Sequence, residues 1–558
     1  MRVVSSIAAL FVVSSGCAGH EGAAKGGAPS ASAPLPGGAA NASKAPNYGT
    51  VSFPVSCSAA AQQQFDLAVG ALHSFFYPET VKAFTRVLEI DPGCAMAYWG
   101  IARSQPPNPL VLPFPPGTFQ RGLEAISKAK ALGPKTQRER DWLAAAETYF
   151  ADPDAVPYDV RIERYRKAME QLTRQYPDDS EAAVFYALAL LESADPHDKS
   201  YGNQLEAAKL LEKLAPVHLN HPGITHYIIH AYDYSPIAGQ GLTAANEYAR
   251  IAPSAPHALH MPSHIYSMLG MWKPSTESNQ VTLVAARAYA AKSFPAGVVL
   301  IGEPHSLDFM EYAYLQLGND GEARRVMAEA AAITKSNAPS IVVDAALAAI
   351  PTRFALERGA WAEAAALEPR PSAYPYAEAV RLFGRAVGAA RLGDPAHVAQ
   401  ARADVDRMSE LRARHLAKPD QVYWSEQTQV LIDGASAWLS HAQGDENEAR
   451  RLLRKAADLE DASEKHVAME NRLFPMREQL GYLLLELQEP QKALPELEAS
   501  LRSTPNRLRG LYGAAKAAER SGQRGIARDY FEKLRALTAE ADGQRAEIAE
   551  ARAFLTAG

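Results

Sequence analysis

Cysteine is scarce in this chain: 558 residues contain Cys17, Cys57 and Cys94 and no others. That is too few for a disulfide-stapled scaffold or a cysteine-rich zinc module. Long apolar runs are also missing. The most apolar stretch, Val3 to Val13, is too short to cross a bilayer as a helix. Neither sign of charge is in large excess, since 57 Lys+Arg stand against 63 Asp+Glu for a net charge of −6, and no basic stripe is interleaved with aromatics. A nucleic-acid partner is therefore not expected. There is no Gly-rich phosphate loop, no Gly-x-Ser-x-Gly elbow and no paired-thiol motif, so the commonest nucleotide, serine-hydrolase and thiol-redox signatures are excluded. No strand-like alternation of useful length occurs, and the fold class expected is all-α.

What is present is the composition of a folded protein, with 47% hydrophobic and 22% charged residues. Met1 and Arg2 precede the apolar run, which ends in Ser14-Ser15-Gly16-Cys17. Residues 1–16 resemble a bacterial lipoprotein signal, in which the Cys is lipidated and becomes the first residue of the mature chain, although Ser14 stands where such signals carry an aliphatic residue. Ordinary secretory cleavage nearby is the alternative. Residues 17–48 are Gly, Ala, Ser and Pro with almost no large apolar side chain, and read as a flexible tether. The expected location is outside the cytoplasm, held to a membrane through lipid on Cys17, with the periplasm or the outer membrane as the compartment. Cys57 lies just before a predicted helix (Ala59 to Phe75) and Cys94 just after the next (Glu79 to Ile90). An antiparallel pair would bring both to one end, so they form either a disulfide or two half-buried thiols.

From about residue 60 onward, small residues recur at fixed positions of successive helical runs. Examples are Gly444, Ala449, Leu453 and Ala456; Gln488, Ala493, Leu497, Ser500 and Pro505; Gly318, Ala323 and Met327; and Thr80, Phe84, Val87 and Pro92. A small residue lets two helix axes approach, a large one a turn later fills the gap between neighbours, and proline stops the second helix. This grammar resembles the tetratricopeptide repeat (TPR) of about 34 residues, and about a dozen helix pairs would fit in the ordered length. The resemblance implies a right-handed superhelical solenoid of antiparallel helix pairs. Residues 49–340 are expected to form an N-terminal TPR-like region and 341–558 a run of C-terminal repeats ending in a polar capping helix, Thr538 to Leu555.

Two insertions depart from the repeat. The first, Pro106 to Gly117, is proline-rich, cannot be helical and is expected to expose apolar residues; Trp99 and Asn108 flank it as candidates for a pocket lining. The second runs from His218 to His264 and holds seven of the chain's 15 histidines. His226-x-x-x-His230 and His260-x-x-x-His264 each place two imidazoles on one helix face, one turn apart, the spacing by which a helix chelates a transition metal such as Zn, Cu, Fe, Mn or Ni. Asp233, His257, His305 and Asp308 are further candidates as ligands or as acceptors that fix a histidine tautomer. Neither pair carries the Glu of a zinc-protease helix, because position 227 is Tyr and position 261 is Met. The plainer alternative is a buried polar network around Pro256 and Pro262, with the histidines bonded to backbone groups.

Three strings, Asp91 to Gly100, His226 to Asp233 and Pro256 to Ile265, together resemble a group of largely uncharacterised bacterial TPR proteins, many of them exported. The resemblance spans about Phe65 to Leu317 and implies fold and export; it brings no established reaction and no catalytic residue. Two functions follow from the sequence. One is a lipid-anchored scaffold whose concave face binds a protein or peptide partner. The other is a metal-binding protein built on the histidine-rich segment, with a metal-dependent enzyme as its extension.

Overall fold

Polar caps open many of the helices. Ser58 accepts from the Ala61 amide, Asp179 from Ala182, and Asp394 from Ala396 and His397, while Thr136 and Glu139 form a reciprocal capping box. Between the caps, apolar residues recur with helical spacing, and short connections fold each helix back on its predecessor. The computed structural model describes residues 45–418, 421–543 and 545–557. Cys17, the signal segment and most of the tether lie outside the described residues. The ordered body begins slightly before position 49, since Tyr48 is buried against Phe76.

Twelve antiparallel helix pairs succeed one another among the described residues, from Ala59–His73 with Tyr77–Ile90 to Leu508–Arg520 with Arg524–Leu537, and Ala546–Thr556 covers the end. The chain is thus all-α, a TPR-like solenoid of helix pairs. Strand structure among the described residues is a two-residue parallel bridge in which Val298 pairs with Lys335 and Val299 with Ser336. No described helix is long and apolar enough to cross a membrane.

Small residues hold the pairs together at their crossings. A Cβ added at Gly122 would lie 2.1 Å from the Phe150 ring, one at Gly100 2.2 Å from Phe84, and one at Gly481 2.4 Å from Leu497. In each case a large side chain of a packed neighbour fills the space that glycine leaves. One apolar cluster draws on Tyr48 to Leu300, and a second draws mainly on Ile341 to Ala551. A third, Leu283 to Phe354, runs across position 340, and residues 45–558 form one compact unit.

Three insertions, one more than expected, tie these clusters together. The proline-rich loop exposes less apolar surface than expected: Leu110, Leu112 and Phe114 are half-buried, Val111 is buried in the second cluster, and Trp424 donates its indole N–H to the Leu112 carbonyl at 3.2 Å. The third insertion lies between helices Glu446–Asp461 and Met476–Glu486, where other units turn in a few residues. Its Glu470 reaches His264, its Asn471 donates to Asp308 and accepts from Arg353, and its backbone accepts from Tyr423. These contacts fall on first helices of four different pairs, the helices that line the inner face of such a stack. The inner face is therefore crossed by the chain's own loop over this stretch.

A helix crossing made against backbone gives a direct check of the packing. A Cβ at Gly388 would sit 2.5 Å from the backbone nitrogen of Ala365, which cannot rotate away. Gly388→Ala is therefore expected to destabilise by about 1–3 kcal/mol through overpacking, although alanine is the better helix former by about 1 kcal/mol. Urea unfolding of the two proteins measures the sign.

Candidate metal centre

Helix Pro222–Tyr232 is set at its start by His221, whose ring accepts from the Ile224 amide, and by Pro222, whose missing N–H costs nothing in the first turn. Every residue of it is buried, so His226 and His230, one turn apart, project into the protein interior. The second His pair does not share one helix. Pro262 has no N–H and would clash with the carbonyl four residues back, and the chain divides into Pro256–His260 and Pro262–Met268. Met261 at the junction keeps helical torsions (φ −52°, ψ −34°), so His260 and His264 still face one another. His305 enters from the first turn of helix Gly302–Leu317.

These residues form two adjacent triads. In the first, His226, His230 and His257 bring one ring nitrogen each within 4.8 Å of the others; in the second, His260, His264 and His305 do the same. His257 thus joins the partner helix instead of its own i+3 neighbour, with its Nε2 3.1 Å from that of His226. The triads adjoin, their nearest ring centroids being 5.9 Å apart between His230 and His264. Phe75 packs over the first triad, its ring centroid 4.5 Å from His226 and 5.6 Å from His257. It does so from a left-handed backbone (φ 49°) that costs a bulky residue energy, so the ring's position is what the turn preserves.

The far side of each ring fixes its proton. His226 Nδ1 donates to the His73 carbonyl at 2.6 Å, and His260 Nδ1 donates to Asn279 Oδ1 at 2.6 Å. The Asn279 amide is itself oriented by donating its N–H to Ser275 O at 2.8 Å. His264 Nδ1 donates to Asp233 at 2.7 Å and to Glu470 at 2.9 Å. With Nδ1 protonated on all three, each neutral ring presents a bare lone pair at Nε2. The His260 and His264 Nε2 atoms stand only 2.9 Å apart, and two lone pairs repel at that distance unless a cation, a proton or a metal, lies between them.

Charge settles which rings are neutral. Burial and the neighbouring imidazoles hold His226, His230, His257, His260 and His305 well below the ordinary histidine value. Burial acts on His264 in the same direction, but the carboxylates of Glu470 and Asp233 outweigh it and push its pKa up to about 10. Glu470 is raised in turn by burial and by Asp233 beside it, against the downward pull of the His264 ring it bonds to. Without metal, the proton between His260 and His264 therefore belongs to His264. No such account covers His230, which is 4% exposed with neither ring nitrogen partnered, or His305, whose buried Nδ1 has no partner.

The other sequence candidates separate cleanly. Asp233 acts on a histidine and so takes the orienting role. Asp308 is no ligand: one oxygen pairs with Arg353 and the other accepts from Asn471. Trp99 lines no pocket, being 1% exposed among Phe53, Phe65, Trp142 and Phe185; Asn108 does line the cavity beside the triads. Cys57 and Cys94 are joined as a disulfide with Cα atoms 5.2 Å apart. Sequence reading missed Glu470, whose only signal is the unusually long gap between two repeat helices, and it missed His73. His73, Glu181 and His221 also cluster, but every nitrogen there is used: both histidines donate to Glu181 at 2.8–2.9 Å, Tyr227 donates to His73, and His221 caps its helix. This network holds the His73 carbonyl that orients His226.

No family model matches this chain, and no curated protein matches it. Solved structures align loosely. Human IFIT1, as a dimer with m7Gppp-AAAA, is 13% identical over 76% of this chain and 87% of that one, with a TM-score of 0.35. The human IFIT1 dimer with PPP-AAAA gives 12% identity, 76% and 87% coverage and a TM-score of 0.35. The Naa15/Naa10 complex bound to HypK-THB gives 11%, 89% and 74%, and 0.19. The fold assignment rests on the chain's own helix pairing, and nothing about its ligands is taken from these alignments.

Two expectations follow for metal-free protein. Above its ordinary value of 6.5 a histidine is neutral whether folded or not, so stability is complete there with respect to the five lowered rings. As pH falls below 6.5 the unfolded chain takes up protons that the folded core refuses, and stability is lost. His264 runs oppositely: its contribution is complete below 6.5 and fades as pH rises through about 10. Thermal melts of chelator-treated protein should therefore give a Tm that drops steeply on the acid side of 6.5; a flat Tm would contradict the assigned charge states. His230→Leu removes an unpaired buried polar group, which costs about 1–3 kcal/mol, and should leave the metal-free Tm unchanged or raise it. A fall would mean that His230 has a partner.

Proposed function

We propose that this chain is an exported, lipid-anchored helical-repeat protein whose interior holds a pair of transition-metal ions, one on each histidine triad. The observation that carries the proposal is His230, a buried imidazole whose two nitrogens have no partner, set beside the facing Nε2 atoms of His226 and His257. Three neutral imidazoles per ion, with a backbone carbonyl, an amide and two carboxylates behind them, are what a metal held by histidine requires. All-imidazole sets suit Zn, Cu, Ni or Fe, whereas Mn prefers oxygen ligands.

Three protein ligands would leave a bound ion open to a further group, and His230, His257, His260, His264 and His305 all line one cavity. Metal bound there would act as a Lewis acid or redox centre on what enters. This chain's residues then have distinct roles: the triads hold the ions, Asp233 and Glu470 keep the His264 proton on Nδ1, and Phe75 shields the first triad from water.

A scaffold reading has one observation of its own. Val217 and Leu219 are 73% and 71% exposed beside an open cleft of about 800 Å³ that also takes in Pro54, Arg138 and Pro177. Such a surface suits a protein or peptide partner, and it is compatible with an interior metal pair.

Metal content decides the main proposal. Inductively coupled plasma mass spectrometry on full-chain protein, purified without a histidine tag and incubated with Zn, Cu, Ni or Fe before desalting, should find close to two ions per chain. A folded His230→Ala/His264→Ala variant, which breaks both triads, should retain almost none. Metal-free wild-type protein after each incubation would sink the proposal.

A further inference from the structure

The cavity beside the triads measures about 310 Å³, the size of a pocket for one small molecule. All three insertions and the β-bridge region contribute to its walls. Phe75, Phe76 and Val81 come from the first helix pair, Val111 from the proline-rich loop, and Leu300 and Val342 from either side of the bridge. Neutral polar groups are interspersed among them, Gln105, Asn108, Asn337 and Ser340 included. Asn337 is held rigidly, since its side chain accepts from the Ile301 amide at 2.8 Å and its backbone N–H donates to Val299 O at 2.8 Å.

No Asp, Glu, Lys or Arg lines this cavity. A charged molecule would leave its hydration behind and meet no unpaired counter-charge, because the one charged ring on the walls, His264, is already paired with Asp233 and Glu470, whereas an apolar body loses nothing by entering. The unpartnered nitrogens of His230 and His305 mark the end of the cavity where a polar group is wanted.

We infer that the cavity is a binding site for a small uncharged molecule that is apolar over most of its surface and carries a single polar head directed at the triads. The direction of the head rests on the metal reading above; selection for an uncharged, apolar body does not. Gly302 gives a clean way to close the site, because it lines the cavity and an added Cβ would meet nothing within 4 Å. A phenyl group there would occupy ligand space without displacing protein.

The test uses N-phenyl-1-naphthylamine, a neutral fluorescent amine, and 1-anilinonaphthalene-8-sulfonate, the same aromatic body bearing an anionic sulfonate. Both are titrated into metal-free and metal-incubated full-chain protein, with metal content measured in parallel. The neutral probe should bind saturably at one site in both forms. The sulfonate should bind metal-free protein at least about tenfold more weakly, a difference of about 1.4 kcal/mol. Gly302→Phe, and independently Val81→Trp, should weaken the neutral probe at least about tenfold with helical circular dichroism and metal content unchanged. Equal binding of the two probes to metal-free protein, or wild-type binding by both folded variants, would overturn the inference. Metal uptake without saturable binding of the neutral probe would also overturn it while leaving the metal reading intact. Saturable, charge-selective binding in a protein that takes up no metal would uphold the pocket and remove the metal reading.

Discussion

The hydrogen bonds behind the histidines decide what the rest of this structure can do. A neutral imidazole carries one proton, and the partner of that proton determines which nitrogen is left as a lone pair. Here the His73 carbonyl, the Asn279 amide oxygen and the Asp233 and Glu470 carboxylates each take the proton on the outer side of a ring. The inner nitrogens are thereby turned toward one another at the end of the cavity. A single flipped ring would relieve the crowding, but it would leave one of those acceptors buried and unpaired, at a cost of about 1–3 kcal/mol. The arrangement persists because the surrounding acceptors cannot move.

The solenoid supplies that rigidity. A plain stack of helix pairs places its inner helices around open space, and contacts run only to neighbours. In this chain three departures from the repeat fill the inner face and connect distant units. The loop carrying Glu470 reaches His264, 206 residues away in sequence, and the same loop is bonded to Asp308 and Arg353. Its charged anchors are buried, and Arg353 is shared among Asp308, Glu311 and the Asn471 carbonyl. Breaking one partner of such a group is costly, so the loop is held in one place. The apolar cavity is the space that these insertions enclose without filling.

Much of this was legible in the sequence, and the exceptions have physical reasons. Helix pairing followed from small residues at crossings such as Gly481 against Leu497, because close packing of two helices demands them. The spacing of His226 and His230 on one helix is likewise a local property. What spacing could not show is which distant elements meet. His257 turns to His226 instead of His260, and His305 completes the second triad, because helices far apart in sequence pack side by side. Trp99 misled because an aromatic residue near an irregular loop fills a core as readily as it lines a pocket. Glu470 left almost no trace, since a loop residue obeys no period. The insertion that carries it is recognisable only as a connection too long for its repeat.

The central claim is that the two triads ligate metal through nitrogen. X-ray absorption at the metal edge, recorded on full-chain protein loaded with Zn or Cu and desalted, reads the ligand shell directly. The expected spectrum shows about three nitrogen neighbours per ion near 2.0–2.1 Å, with the outer-shell scattering of imidazole rings. A first shell dominated by oxygen without imidazole scattering would contradict the account, and so would an edge too weak for ordered binding.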